Sequence, residues 1–505
     1  MLLPYLNETQ APSKKYTVSF RGINYGEGYQ DGELAESENL STDKYPCISQ
    51  RAKRIKVGEY ERPQTLHTKE GLIVIDGTHV YYNDEKVGTV TEGRKQCATI
   101  GNYVVIFPDK KYYNVAEKKY GSMEETFKAT GLIFTHNSIM TEGIEGFKFR
   151  DGDAVKISGC ETAENNKSNI IRGATEAVLT FDDNTFTAHT ETAEVTITRL
   201  VPDLEFICES NYRLWGTKGN TIFSSKFSDP FNFEVFDNLV SDSYNIDVGS
   251  DGAFTGCIPY SSHICFFKEN TLHKLYGTKP SNFQITTANV YGVQSGCERS
   301  MCIVNEQLLY KGVDGIYAYS GGVPELISSK FGTKRYSDAV ATCDGERYYI
   351  SMKHGNDWSM YVYDVLKNIW LREDDTHAYD MAFYDGHVYF IDESGDLYMI
   401  DRTASRDDIE WSATFCPFNE TINEKKGYSK FHLRVDMSAG AWLMVDVKTD
   451  DTPWKEVYKT HNEKAKTISV PILPTRCDSV SVRIRGRGEC TLKTFIREFT
   501  TGSDV

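Results

Sequence analysis

Residues 386–402, GHVYFIDESGDLYMIDR, alternate apolar and polar positions through Val388, Phe390 and Ile391, turn on ESGD at 393–396, and resume with LYMI at 397–400. Two short alternating runs around a polar turn containing Gly predict a β-hairpin. The same cadence starts at Gly71, Gly101, Asn211, Ser262, Glu306 and Glu346, each time followed by a turn and a second run such as HVYY at 79–82 or TLHKLY at 271–276. A lone hairpin is marginal in water, so seven of them imply a larger assembly of sheets. The last five copies recur every 40–50 residues or so, the period of a four-stranded propeller blade. A strand before the hairpin, as at 339–342 or 379–383, and one after it, as at 370–372, complete the unit. Stacking such blades around an axis buries both faces of each sheet and protects its edges.

The rhythm breaks twice. Between the second and third copies, residues 127–199 carry Thr-rich strands separated by Gly, Asn and Asp turns, with no Pro between Pro108 and Pro202. This stretch predicts a small inserted β-barrel or sandwich. Beyond Arg402 the alternating runs lengthen, from Trp411 through AWLMVDV at 441–447 to SVRIRGR at 481–487, as in a β-sandwich. The expected fold class is therefore all-β, a roughly seven-bladed β-propeller with an inserted small β-domain and a C-terminal β-sandwich. Its expected divisions are 1–60, an N-terminal segment joining the propeller; 61–126 and 200–402, the propeller; 127–199, the insert; and 405–505, the sandwich. The run at 16–20, YTVSF, is expected to pair with the last blade.

Composition supports the class. With 31 Tyr and 26 Phe among 505 residues, the chain favours pleated, half-buried surfaces, and most of these rings are expected to fill the space between blades. The first twenty residues lack a basic n-region, and no apolar run is long enough to span a membrane, so the chain reads as soluble and made without export. Twelve cysteines occur singly, without CxxC or zinc spacing, as expected of reduced thiols used as small hydrophobes. Net charge is −16, and the stretch from residue 405 onward is close to neutral, so the acidity lies in the body before it. That balance disfavours a sequence reader of DNA or RNA, because phosphate neutralisation supplies most non-specific affinity.

Candidate chemistry is sparse. Asp242, Asp247 and Asp251, or Asp182 and Asp183, offer carboxylate pairs of the kind that hydrolyse glycosides, but acidic turns are usually solvated loops. The alternation of Asp392, Ser394 and Asp396 offers oxygen ligands for calcium without the distal Glu of a full loop, which favours a plain β-turn. There is no GxSxG, Walker loop, HExxH or complete GxGxxG, and neither the Arg-Ile-Pro motif nor the Asp boxes of sialidases is intact. The two-residue strand period puts Arg483, Arg485 and Arg487 on one face, a candidate stripe for docking an acidic partner, or else the charged defence of an edge strand.

Four stretches, GINYGEGYQDGELAESENLSTDKYPCISQR at 22–51, NYRLWGTKGNTIFSSKFSDPFNFEVF at 211–236, FFKENTLHKLYGTKPSNFQI at 266–285 and PTRCDSVSVRIRGRGECTLKTFIREFTTGSDV at 474–505, resemble propeller proteins of tailed bacteriophages and prophages of Gram-positive hosts. In architecture the chain is similar to the nozzle, or packaged-DNA stabilisation, proteins of short-tailed phages. The resemblance implies a structural, non-enzymatic virion tail protein without cofactor or metal, made in the bacterial cytoplasm. It further implies a homo-oligomeric ring, possibly a hexamer, that docks neighbours such as an adaptor or fibre and lets double-stranded DNA pass without reading it. The acidic body fits such a conduit, because it repels phosphates. A receptor- or carbohydrate-binding tail protein is the alternative, and a propeller glycoside hydrolase a more distant one.

Overall fold

The computed structural model describes residues 12–501, apart from 144, 145, 405, 407, 463, 465 and 474. The opening residues, read above as carrying no export signal, lie outside the described part, as do residues 502–505 of the last resembling stretch. Among the described residues the only helical elements are four three-residue 3₁₀ turns, and no helix is long and apolar enough to cross a membrane. The chain divides into two compact units, Tyr60–Glu298 and the combination of Met1–Glu59 with Arg299–Val505.

The chain is all-β, and its repeating unit is the propeller blade. Among the described residues, seven antiparallel four-stranded sheets each contain one of the seven hairpins read from the sequence, and these are the blades. Four lie in the unit Tyr60–Glu298: blade 1 starts at Pro63–Thr68, blade 2 at Gln96–Ile100, blade 3 at Phe206–Ser210 and blade 4 at Phe254–Tyr260. Adjacent blades share apolar cores. Ile73, Ile75 and Val80 of blade 1 face Val104 and Ile106 of blade 2, while Trp215 and Ile222 of blade 3 face Ile264, Phe266 and Leu275 of blade 4. A blade is apolar on both faces, so it is stable only between such neighbours.

His67 of blade 1 sits in one of these seams, its Nε2 2.8 Å from Thr99 Oγ1 of blade 2. Burial pulls its pKa from 6.5 down to about 4. Between those values the unfolded chain binds the proton and the folded one does not, so stability falls as pH drops through that window and levels off below it. We expect His67→Gln to remove a part of the acid destabilisation on the order of 2 kcal/mol, read as a smaller drop in the urea midpoint between pH 6.5 and pH 4 than in the parent protein.

The insert leaves blade 2 after Lys119–Ser122 and returns before blade 3. Its stem pairs Glu125–Ala129 with Val195–Arg199, and its two sheets, of four and five strands, enclose Phe127, Phe134, Phe147, Ile157, Phe181 and Phe186. Its buried Asp153 links it to blade 3: the carboxylate is held within the insert by Arg199 Nη1 at 2.5 Å and accepts from Asn232 Nδ2 of blade 3 at 2.9 Å.

The other unit holds blade 5, from Cys302–Val304; blade 6, from Ser337–Cys343 to Ile369–Asp374; blade 7; and the sandwich. Three strands of blade 7, Ala378–Tyr384, His387–Asp392 and Asp396–Asp401, are consecutive, and the fourth is Lys53–Glu59, which pairs with Asp396–Asp401.

The expected joining of residues 1–60 to the propeller is corrected here, because only Lys53–Glu59 enters a blade. Ser13–Thr17 pairs with Cys490–Thr501, not with the last blade, and Leu34–Glu38 pairs with Glu410–Phe415. The sandwich is thus built from both ends of the chain. One sheet centres on Cys490–Thr501 and Lys426–Met437; the other runs Leu34–Glu38, Glu410–Phe415, Val480–Arg487, Trp442–Thr449, Lys455–Thr460. The physical reason is the shared core, in which Phe20, Leu34 and Ile48 pack with Phe415, Phe431, Val445, Ile484 and Phe495. Ile369 and Leu371, from the outer strand of blade 6, belong to the same core, so the sandwich covers an edge that would otherwise be open.

Candidate functional site

Where the sandwich meets blade 6, the surface sinks into a cleft of about 720 Å³. The strand Leu34–Glu38 forms one wall. It buries Leu34 and Ser37 and turns Glu36 and Glu38 outward, as the strand alternation with a bulge between Leu34 and Glu36 dictates. Ser37 ties this wall to the blade, its Oγ donating to the Arg372 carbonyl at 3.0 Å and accepting the Arg372 N–H at 2.8 Å. Gly22 adds a second tie, because the chain beside it lets the Ile23 N–H reach the Trp370 carbonyl at 2.8 Å.

The opposite wall is the long hairpin of blade 6, Arg347–His354 and Asp357–Asp364, whose tip HGND places Trp358 at the cleft. Trp358 is half-buried and stacks on His377 with ring centroids 3.7 Å apart and planes 10° apart. His377 Nδ1 in turn lies 3.5 Å from Glu393 Oε2. Such packing fixes the indole, which otherwise has rotamer freedom to lose on binding.

The floor is phenolic. Tyr336 and Tyr361 bring their hydroxyl oxygens to 2.9 Å, and Tyr25 lies close enough to interact with both. Burial first, then the neighbouring Tyr361, pushes Tyr25 and Tyr336 above the ordinary phenol range, so these hydroxyls stay neutral and can both donate and accept. Lys334 lies over the Tyr25 ring, with Nζ 3.7 Å from its centroid. Burial lowers the Lys334 pKa, with Glu36 pulling the other way. Arg372 pairs with Asp375, and its Nε donates to Ser359 Oγ at 3.1 Å.

No family model matches the chain, and no curated protein matches it. Among solved structures it is similar to BamB from Moraxella catarrhalis, at 8% identity and a TM-score of 0.35 over 71% of this chain and 99% of that one. It is similar to the phage phi92 endosialidase at 12% identity and a TM-score of 0.27, over 73% of this chain and 74% of that one. An exo-β-1,3-galactanase from Phanerochaete chrysosporium with galactose matches at 9% identity and a TM-score of 0.23, over 56% of this chain and 92% of that one. None of these likenesses is close enough to argue from. The site therefore has to be read from its own residues.

The arginines singled out from the sequence lie elsewhere. Arg483, Arg485 and Arg487 do share one face of Val480–Arg487, but this strand lies inside its sheet, between Glu410–Phe415 and Trp442–Thr449, which corrects the edge-strand reading. Two of the three converge on one carboxylate: Arg483 Nε and Arg485 Nε lie 2.9 and 2.7 Å from Asp446 Oδ2, and Asp446 is buried. Arg487 Nε is 3.1 Å from Asp408 Oδ1. The stripe is thus partly spent on internal pairing.

The acidic candidates are dispersed in the same way. Asp182 pairs with Arg172 at 2.8 Å, Asp183 accepts from Asn137 at 3.4 Å, and Asp247 accepts from the Thr221 hydroxyl. Asp242 is buried and accepts the Leu239 N–H at 3.0 Å, whereas Asp251 is exposed. Asp392 accepts the N–H groups of Ser394 and Asp396 at 2.9 and 3.0 Å, and Asp396 pairs with Lys56 at 2.7 Å. These contacts are those of a turn and a strand.

One cluster that the sequence reading missed has metal-ligand chemistry: Glu161, His189 and Glu191 in the insert keep their ligand atoms within 4.8 Å of one another. The buried Glu191 already accepts the N–H groups of Glu161 at 2.6 Å and Thr162 at 3.3 Å, which commits its oxygens to the backbone. The cleft residues were missed as well. The one signal for them is Trp358, a large aromatic set in the polar stretch HGNDWS and not in an apolar run.

Proposed function

We propose that this chain is a structural component of a bacteriophage virion tail, a nozzle or tail-tip ring that docks neighbouring tail proteins and lets double-stranded DNA through. The observation that carries the reading is an exposed apolar surface on blade 3. The segment 225–243, between the third and fourth strands, exposes Phe227, Phe236, Leu239 and Val240 at 45, 54, 58 and 64%. Tyr212, 63% exposed, adds its ring at 5.8 Å from Phe227. Exposed apolar patches of this kind mark protein–protein contacts, and a closed ring needs one patch that meets a different patch on the next copy.

The resemblance of the four sequence stretches to phage and prophage propeller proteins gives the reading its setting, and two further features support it. The carboxylates and arginines that the sequence offers for chemistry are mostly used in internal pairs, as suits a mechanical part. The net charge of −16 would keep DNA moving through the assembly without adhering.

Mass photometry of the purified chain, alone and with adjacent tail proteins, tests this. A closed oligomer is expected, with Leu239→Asp/Val240→Asp reducing it to monomers while leaving thermal unfolding unchanged. A chain that stays monomeric with its neighbours present, or that retains duplex DNA at about 0.15 M salt, where a non-specific DNA binder would still hold it, rules the role out.

A further inference from the structure

We propose that the cleft between the sandwich and blade 6 is a binding site for a neutral oligosaccharide. The proposal is independent of ring formation, since all of its residues belong to one unit of one chain. The volume of about 720 Å³ falls in the range of small-molecule sites, about 300–1,000 Å³. Its walls are tied together before any ligand arrives, through the hydrogen bonds of Ser37 and Ile23 described above, so binding would cost little reorganisation.

The chemistry of the lining selects the class. Trp358, half-buried and held by His377, supplies the flat apolar surface on which the C–H face of a pyranose rests. Glu38 and Asp357 are exposed and make no ion pair among the described residues, so each carboxylate has two oxygens available to vicinal hydroxyls. The tyrosine floor adds neutral groups that donate as well as accept. A polyol needs this combination of acceptors, two-way hydroxyls and one ring face.

Charge excludes the anionic competitors. Five carboxylates line the cleft, those of Glu36, Glu38, Asp357, Asp375 and Glu393, against two cationic side chains, Lys334 and Arg372. Both cations are engaged, one over Tyr25 and the other with Asp375. A sialylated or phosphate-bearing glycan would therefore enter a field of its own sign. A quaternary ammonium ligand would fit the charge and could use the Trp358 face, the Tyr25 face being filled by Lys334. Choline chloride titrated by calorimetry separates it, and binding of choline with a silent neutral panel overturns the assignment.

The test is a glycan array probed with the full-length chain, carrying neutral gluco-, galacto-, manno-, rhamno- and N-acetylhexosamine oligosaccharides beside sialylated and phosphorylated ones, with calorimetry on the strongest hit. We expect a neutral oligosaccharide to bind and the anionic ones to be silent. Trp358→Ala should weaken binding at least tenfold. In case that variant loses its fold, Glu38→Gln/Asp357→Asn, which keeps size and shape, should weaken it severalfold, while Arg483→Ala in the sandwich should leave it unchanged. A silent neutral panel, a preference for anionic glycans, or binding that survives both cleft variants overturns the assignment. Ring formation is read separately by particle mass, so the two readings fail independently.

Discussion

Arg54→Ala is expected to lower stability by about 3–5 kcal/mol, the cost of leaving buried charges without their partner. Arg54 lies on the borrowed strand of blade 7, and its guanidinium reaches both Glu373 Oε2 and Asp374 Oδ2 at 2.6 Å. It also donates to Thr376 Oγ1 at 2.8 Å and lies 5.2 Å from the centre of the Phe390 ring. The arginine thus pins the strand Lys53–Glu59 to the outer strand of blade 6. Burial works against the charged form of Asp374, yet Arg54 holds its pKa below the ordinary carboxylate range. Without Arg54, two carboxylates remain at a desolvated seam, and acidification that protonates them should recover part of the loss. Arg54→Lys keeps the charge but not the two-pronged reach, so it should fall between the two. Urea unfolding at pH 7 and pH 5 checks all three; a loss under about 1 kcal/mol, typical of an exposed pair, would show that the seam is wet.

The second large effect is expected at Gly22. Its φ is +77°, and a Cβ placed there would lie 2.3 Å from the Trp370 carbonyl oxygen and 2.7 Å from Ile369 Cγ2. The left-handed conformation alone costs an L-residue roughly 1–2 kcal/mol. The clash is with backbone, which cannot rotate away, so the Ile23–Trp370 hydrogen bond must break as well, adding about 1 kcal/mol or more. Gly22→Ala should therefore cost about 3 kcal/mol in total and loosen the sandwich from blade 6. Hydrogen exchange should accelerate at 20–38 and 369–374 while blades 1–4 keep their protection. Uniform acceleration throughout the chain would contradict this local account.

These two sites also show where local pattern stops informing. The blade hairpins were legible because each is a contiguous run with period two and a polar turn: Val388 opposite Ile400 and Ile391 opposite Leu397 follow from the sequence once the ESGD turn is placed. The insert was legible as a stretch where that cadence failed. The N-terminal strands of the sandwich were not. LAESE at 34–38 is short and acidic, and only its pairing with residues more than 370 positions away makes it a strand.

The candidate site follows the same division. The alternation of Arg483, Arg485 and Arg487 was visible, but Asp446, which neutralises two of them, comes from the adjacent strand and leaves no local trace. The cleft was invisible, because Glu38, Trp358 and His377 converge only after the sandwich has docked on the blade. Assigning aromatics to packing between blades held for Trp215 and Phe266 and failed for Trp358.

The pairing of Ser13–Thr17 with Cys490–Thr501 has a consequence for biogenesis. A ribosome reads from the amino end, so Ser13–Thr17 emerges more than 470 residues before its partner at 495–499. At about 5–20 residues per second, the first strands wait tens of seconds for company. A messenger cut short at any point before that last strand yields a product with a ragged, unfinished face. Completion of the fold is thus tied to the arrival of Cys490–Thr501, the strand that both Ser13–Thr17 and Lys426–Met437 need as a neighbour.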